Sequence, residues 1–276
     1  MRQVIAYRAN KILYNFFKSN GLRGRVILPA NICNEVVELF RYMGNELCFV
    51  DIDRETLCLD WSLVRTIANQ VDAVLAVHAY GIEDRFDIEF SILRTINPKI
   101  VIVDDKCLCI PKLVDLSSAA DLVLYSTGGK KQVDLGRGGI GYVADGWNYE
   151  DVPVEENCIL SNAQWSLDIE TIEEQTKSVL AHKSRLNAIY MSELPPQIQL
   201  IGHSQWRFNI IVTNKQEIMK AIFDAGLYAS GHYSPQSDQC PNAQWCYEYI
   251  INLFNDFYFT ERQAYKICDI INKNRI

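Results

Sequence analysis

No stretch of this chain stays apolar for the roughly 20 residues that a membrane-spanning helix needs. No dense run of Lys or Arg is present either: Lys+Arg is 27 against Asp+Glu at 34, a formal charge of −7. That acidic balance argues against nucleic acid as a partner. The opening run MRQVIAYRANKILYNFF is broken by Arg8, Asn10 and Lys11, and no small-residue cleavage site follows, so no signal peptide is expected. Glycine (14) and proline (8) are too sparse for a collagen-like or disordered chain, and no repeat or low-complexity stretch stands out. CxxC pairs are missing as well. Cys107-Leu-Cys109 is too tight for zinc and alternates faces on a strand, so no metal site is expected. The nine cysteines are odd in number and scattered, Cys158 among them; they read as reduced, mostly buried thiols of a cytoplasmic protein.

What is present is an ordinary folded composition, 49% hydrophobic and 22% charged over 276 residues. Residues 3–20 have a helical pattern built on Ile5, Ile12, Leu13, Phe16 and Phe17, closed by Asn20-Gly21. Short apolar runs at 25–30, 46–51, 73–81, 99–105, 121–126 and 140–144 read as strands. Between them, 34–43 (capped by Asn34 and closed by Gly44), 60–70 and 86–95 read as helices. The strands are continuous apolar runs rather than in–out alternations. That marks a mostly parallel sheet covered by helices on both faces. Residues 151–168 read as a loop and 169–194 as a long helix stopped by Pro195-Pro196. A strand (206–212), a helix (215–225), a loop (229–241), a helix near 243–251 and a final helix from Glu261, capped by Thr260, complete a small C-terminal α+β lobe. Two domains are expected, 1–168 and 169–276.

Polar residues gather at the C-terminal ends of the strands: Pro29-Ala-Asn31, His78-Ala-Tyr80-Gly81, Asp104-Asp105 and Ser126-Thr127. Open α/β sheets bind ligands there. Gly136-Arg-Gly138-Gly-Ile-Gly141 matches GxGxxG, but a strand follows it instead of a helix, so the glycines read as a turn into 140–144. Gly128-Gly129-Lys130-Lys131 lacks the earlier glycine and the Ser/Thr of a P-loop. A lysine in that loop, a carboxylate at a neighbouring strand end and Ser126 with the Gly128 and Gly129 amides form the set that pyridoxal phosphate requires: an amine nucleophile, a partner for a pyridinium and a phosphate cradle. A solvated Lys-Lys pair in a surface loop reads equally well from these residues alone.

The stretches VILPANICNEVVELFRYMGNELCFVDID, AVHAYG, IVDD and DLVLYSTGGKKQVDLGRGGIGYV, in that order, resemble the DegT/DnrJ/EryC1/StrS group of sugar aminotransferases. The likeness runs from about residue 5 to the end and includes a long helix ending in Tyr190, a His232-Tyr233 loop and an INLF closing segment. It implies the fold-type-I architecture of pyridoxal 5′-phosphate enzymes, a homodimer, a sugar-nucleotide substrate and an amino donor such as glutamate. The resemblance places the Schiff-base lysine a few residues before the Gly136-Arg137-Gly138-Gly139 turn, and five beyond Ser126. Both counts select Lys131 over Lys130. Ser126 matches the serine on the cofactor phosphate. Asp105 matches the acid on the pyridine nitrogen, and Asp104 takes the place of the neighbouring Glu. Cys33 stands where the family has an aromatic stacked on the cofactor, and Leu108 where it has Gln or His. Arg8 and Asn10 stand where a Gly-Thr pair precedes the phosphate helix. His232 and Tyr233 match a loop near the sugar. Asn162-Ala-Gln-Trp165 is the nearest match to the loop that reaches the partner subunit. The expected function is transamination of a keto-sugar nucleotide, in surface polysaccharide or amino-sugar biosynthesis. The rival is a family member that binds a sugar nucleotide or partner subunit without chemistry. Relatives that dehydrate their sugar usually lack the lysine, so Lys131 argues against that outcome.

Overall fold

The computed structural model describes residues 1–82, 86–114, 118–154, 160–200, 202 and 205–275; Cys158 lies outside them. The chain opens with strand β1 (Arg2–Ala6) and helix α1 (Ala9–Ser19). There follow β2 (Arg25–Pro29), α2 (Asn34–Met43), β3 (Glu46–Val50), α3 (Trp61–Ile67), β4 (Ala73–Val77), α4 (Asp87–Ile96), β5 (Val101–Asp105), β6 (Leu122–Ser126) and β7 (Gly139–Val143). The sheet order is β1-β7-β6-β5-β4-β2-β3. Five strands run parallel, β7 runs antiparallel to β6, and β1 antiparallel to β7. Each inner strand is buried on both faces. Ile27, Val74, Ile102, Val123 and Tyr125 pack on one side with α3 and α4. Val26, Leu28, Leu75, Val103 and Leu124 pack on the other with α1 and α2. The doubly covered sheet expected from continuous apolar strands is what forms.

The C-terminal part holds α5 (Ile169–Glu193), β8 (Phe208–Ile211), α6 (Lys215–Asp224), β9 (Ala229–Gly231), α7 (Pro241–Tyr249), β10 (Ile250–Leu253) and α8 (Glu261–Asn274). Its antiparallel sheet has the order β8-β10-β9, and α5, α6 and α8 close a separate core over it. Thr260 caps α8 in a reciprocal capping box with Gln263. Helix α7 docks on the large sheet instead. Its first amides, Asn242 N and Ala243 N, each donate at 2.9 Å to the Asp51 carboxylate beyond β3. A carboxylate at a helix N-terminus complements the dipole there. Among the described residues no helix is long and apolar enough to cross a membrane.

Several elements depart from the sequence reading. Residues 3–20 are not one helix: Arg2–Ala6 is an edge strand in register with β7, Arg2 opposite Val143 and Ala6 opposite Gly139. Val4 and Ile5 fit a helical period, but the open edge of β7 supplies a full ladder of backbone partners. Cys33, not Asn34, is the N-cap of α2, and Asn34 is its first helical residue. The run 73–81 leaves the sheet after Val77, because Tyr80 (φ 56°) and Gly81 (φ 77°) turn left-handed. The stretch near 243–251 ends as a helix at Tyr249; Ile250–Leu253 becomes the central strand of the small sheet. The loop 229–241 begins with the short strand β9.

The glycines of the turn into β7 let α1 approach the sheet. A Cβ on Gly139 would lie 2.5 Å from the backbone nitrogen of Ala9 and 2.6 Å from its Cα. Backbone atoms cannot swing aside, so Gly139→Ala is expected to cost about 1–3 kcal/mol of stability. Thermal unfolding followed by circular dichroism would read that as a drop of several degrees in Tm.

Candidate active site

Cross-strand partners share a face, and residues two apart on a strand do too. Ser126 pairs with Gly139, and Gly139 lies directly beneath Ala9, the first residue of α1. Asp105 pairs with Leu124, two residues before Ser126. Asp105, Ser126 and the N-terminus of α1 therefore lie on the same face at the C-terminal end of the sheet. Arg8 is the N-cap of α1 and makes no side-chain cap bond. A helix N-terminus of this kind suits an anion, through its amides and its dipole. Asn10 is half-buried in the first turn. The Arg8 side chain is about half exposed and pairs with Glu35 of α2 at 3.5 Å. The Gly128 amide is already engaged: it donates to Ser126 Oγ at 3.2 Å.

The two acids at the end of β5 separate by face. Asp104 follows Ile102 to the α3/α4 side, where its Oδ1 lies 2.7 Å from His78 Nε2 and its Oδ2 lies 3.1 Å from Lys106 Nζ. His78 stacks on Phe86 and also bonds the Ile82 carbonyl. Asp105 follows Val103 to the α1/α2 side, buried, and its Oδ1 accepts from Cys107 N at 2.9 Å. Burial pushes the Cys107 thiol well up; the Asp105 carboxylate adds to that, and the Lys131 ammonium opposes it. Lys131 is thus electrostatically in reach of the Asp105 corner. Its neighbour Lys130 is exposed.

The C-terminal lobe closes the other side. Gln236 N donates to Ala30 O at 2.9 Å and Gln236 Nε2 to Asn34 Oδ1 at 2.6 Å, seating the 232–237 loop on the end of β2 and the start of α2. Cys33, partly exposed at the α2 N-cap, contacts the half-exposed Tyr233, whose hydroxyl burial pushes up to about 12 with the thiol adding. His232 Nδ1 bonds the fully buried Tyr80 hydroxyl, and its Nε2 is buried with no hydrogen-bond partner among the described residues. The structure thus brings Cys33, His232 and Tyr233 together at the start of α2, and Asp105, Ser126, Arg8 and Asn10 at the C-terminal end of the large sheet, with Glu35 reaching both Arg8 and Tyr233. Asn162 is engaged inside its own chain: its amide group exchanges two bonds of 3.1 Å with the Val154 backbone. Trp165 lies over Gly138, where a Cβ would meet its ring at 2.6 Å.

Burial holds the His232 imidazole down at about 4; the nearby Asn31 backbone opposes this and Lys215 adds to it. An ordinary histidine titrates near 6.5. The unfolded chain therefore takes up this proton first as pH falls. The stability that His232 contributes is present above about 6.5 and is lost on the way down to about 4. His232→Gln is expected to flatten that part of the stability–pH curve, measured by urea unfolding at pH steps of half a unit.

Sequence reasoning missed a buried cluster beside this rim. Lys183 Nζ of α5 donates to Trp206 O at 2.8 Å and to Asn255 Oδ1 at 2.7 Å. Burial, with Arg207 nearby, pulls Lys183 down to about 7, while Asp256 opposes. Arg207 is buried and pairs with Asp256 at 2.8 Å. Trp206 itself reaches the lysine loop, its Nε1 donating to Lys130 O at 2.9 Å. The available signal was a single cation set inside the apolar run WRFNIIV.

A sequence model of the DegT/DnrJ/EryC1/StrS aminotransferase family matches residues 8–189. No curated protein sequence matches the chain. Among solved structures, a protein described as a sugar aminotransferase from Streptococcus pneumoniae, in its PLP-form, superposes with a TM-score of 0.75 at 16% identity, over 98% of this chain and 87% of that one. The sugar aminotransferase CalS13 from Micromonospora echinospora gives 0.76 at 15% identity, over 99% and 87%. The GDP-4-keto-6-deoxy-D-mannose-3-dehydratase of E. coli, with bound hydrated PLP, gives 0.70 at 14% identity, over 98% and 87%. At such identities the likeness is one of fold, and it confirms the fold-type-I expectation.

Proposed function

Because the chain belongs to the DegT/DnrJ/EryC1/StrS aminotransferase family, we propose that it is a pyridoxal 5′-phosphate-dependent aminotransferase acting on a keto-sugar nucleotide or related carbonyl, with glutamate as amino donor. The observation that carries this reading is the shared face of Asp105, Ser126 and the α1 N-terminus, with the Lys131 charge bearing on the same corner. That donor set fits the cofactor: a hydroxyl and a helix N-terminus for a phosphate dianion, a buried carboxylate for a ring N–H, and an amine on a flexible stem. When bound, pyridoxal phosphate supplies an electron-withdrawing ring that stabilises negative charge on a carbon beside nitrogen.

In this reading Asp105 keeps the proton on the ring nitrogen. Ser126 Oγ, Asn10 and the first turn of α1 hold the phosphate, with Arg8 at its outer side. Lys131 anchors the cofactor and then moves a proton at Nζ, first as base and then as acid. Cys33 would stand against the ring, and the His232-Tyr233 loop would face the sugar. His232 Nε2, buried and without a hydrogen bond of its own among the described residues, suits a sugar hydroxyl as partner. A homodimer with a two-fold interface fits the family; light scattering at micromolar concentration is expected to give twice the chain mass. A cytoplasmic enzyme of surface polysaccharide or amino-sugar biosynthesis is the setting.

Glu35 favours a second reading, a member that binds a sugar nucleotide or partner subunit without transamination, because its carboxylate pairs with Arg8 beside the phosphate end. Purified protein incubated with pyridoxal 5′-phosphate separates the two. A new absorbance band at the edge of the visible, bleached by glutamate, supports the first. Sugar-nucleotide binding without that band supports the second.

A further inference from the structure

We propose that Trp206 is a positioning residue that fixes the peptide bond before Lys131, so that the seating of the C-terminal lobe sets the aim of the lysine amine. The inference rests on the reading of Lys131 given above. Lys130 adopts φ 65°, a left-handed conformation that side-chain-bearing residues rarely take. Its N–H donates to Asp134 Oδ2 at 2.7 Å, and its carbonyl accepts from Trp206 Nε1 at 2.9 Å. That carbonyl and the Lys131 N–H belong to one planar peptide group. The N–H end bonds Gly128 O at 3.2 Å, inside the loop. The carbonyl end is held from outside it, by the indole.

Trp206 is itself fixed from several directions. Its N–H donates to Tyr80 O at 2.9 Å, and its carbonyl accepts from Lys183 Nζ at 2.8 Å. The Tyr80 ring stacks on it at 6.4 Å and 28°, and the Arg207 guanidinium lies 4.8 Å from its ring centre. Tyr80 comes from the turn after β4, Lys183 from α5, and Arg207 is tied to Asp256 before α8. The indole therefore has a set position with respect to both the large sheet and the lobe. A phenylalanine would serve the packing; only the indole N–H reaches Lys130. The expected result of a 1 Å error at an amine that must attack and then shuttle a proton is a large loss of rate.

The test compares wild-type protein with Trp206→Phe, both loaded with pyridoxal 5′-phosphate. Visible-range circular dichroism per bound cofactor is expected to fall by roughly half or more, because a loosened anchor averages the orientation of the chromophore. Amides of residues 128–135 are expected to exchange roughly five- to tenfold faster, the factor for one lost hydrogen bond, while those of β6 and β10 exchange as before. Unchanged dichroism and unchanged exchange overturn the proposal. So does faster exchange spread evenly over β6 and β10, which would make Trp206 a packing residue only. Wild-type protein that takes up no cofactor overturns the reading of Lys131 and this inference with it. Wild-type protein trapped at Lys131 beside an indistinguishable variant overturns this inference alone. Should Trp206→Phe fail to fold, nitrogen-15 labelling of the wild-type indole decides. Cofactor loading then shifts the Nε1 resonance and slows its exchange, or leaves both unchanged and overturns the proposal.

Discussion

Lys131→Ala is expected to abolish borohydride trapping of the cofactor and to lower transamination by at least 10²–10⁴-fold, the range a lost proton-transfer group accounts for. Peptide mapping of the reduced wild-type protein should find the label on Lys131. Label on Lys130 would reverse the assignment. The physical case against Lys130 is its surroundings. Its side chain is exposed, while its backbone is pinned at both ends by Asp134 and Trp206. Lys131 is partly buried, and its charge is felt at Cys107 beside Asp105.

The second large effect separates two adjacent carboxylates. Asp105→Ala is expected to weaken cofactor retention by about 3–5 kcal/mol, the usual cost of removing one partner of a buried ion pair, and to cost stability only about 1 kcal/mol through the bond lost by Cys107 N. Equilibrium dialysis and a melting curve measure the two quantities. Asp104→Ala is expected to do the opposite. It removes the carboxylate that His78, 1% exposed, and Lys106 share in the buried end of the sheet. A loss of about 3–5 kcal/mol of stability follows, roughly 10 °C in Tm. Cofactor affinity measured below the new transition should stay close to wild type. Equal cofactor loss in both variants would mean that the face alternation of β5 does not decide which acid meets the ring.

The large sheet was legible because its strands carry their own signal. A run such as IVIV has no polar face, so it must be buried on both sides, and the helices between the runs supply the cover. The face of Asp105 was not legible from residues alone. It needed the register with Leu124 and the position of α1, both set by chain far from residue 105. Strand β1 was misread for a similar reason: its partner lies beyond residue 138, and locally Val4 and Ile5 extend the apolar stripe of α1. The first residues of β10, Ile250 and Ile251, were read into α7 because YII continues its apolar pattern without a break. The contacts of Trp206 with Lys130, Tyr80 and Lys183 join segments more than twenty residues apart in sequence. No periodicity encodes such pairs.

The position of β10 governs the order in which this chain can be built. Strands β8 and β9 flank it and pair with it, not with each other. As the chain emerges from the ribosome, Phe208–Ile211 and Ala229–Gly231 have no partner in their sheet until Ile250–Leu253 has been made. The small core closed by α5, α6 and α8 cannot consolidate before then, since Ile251 and Leu253 lie at its centre. Sequence-distant pairings of this kind form slowly and leave apolar strand edges open while they wait. A premature stop after Tyr249 would keep most of the residues of the lobe and none of its sheet. The nascent protein is thus most exposed to aggregation and proteolysis from the moment β8 is made until β10 follows it about forty residues later.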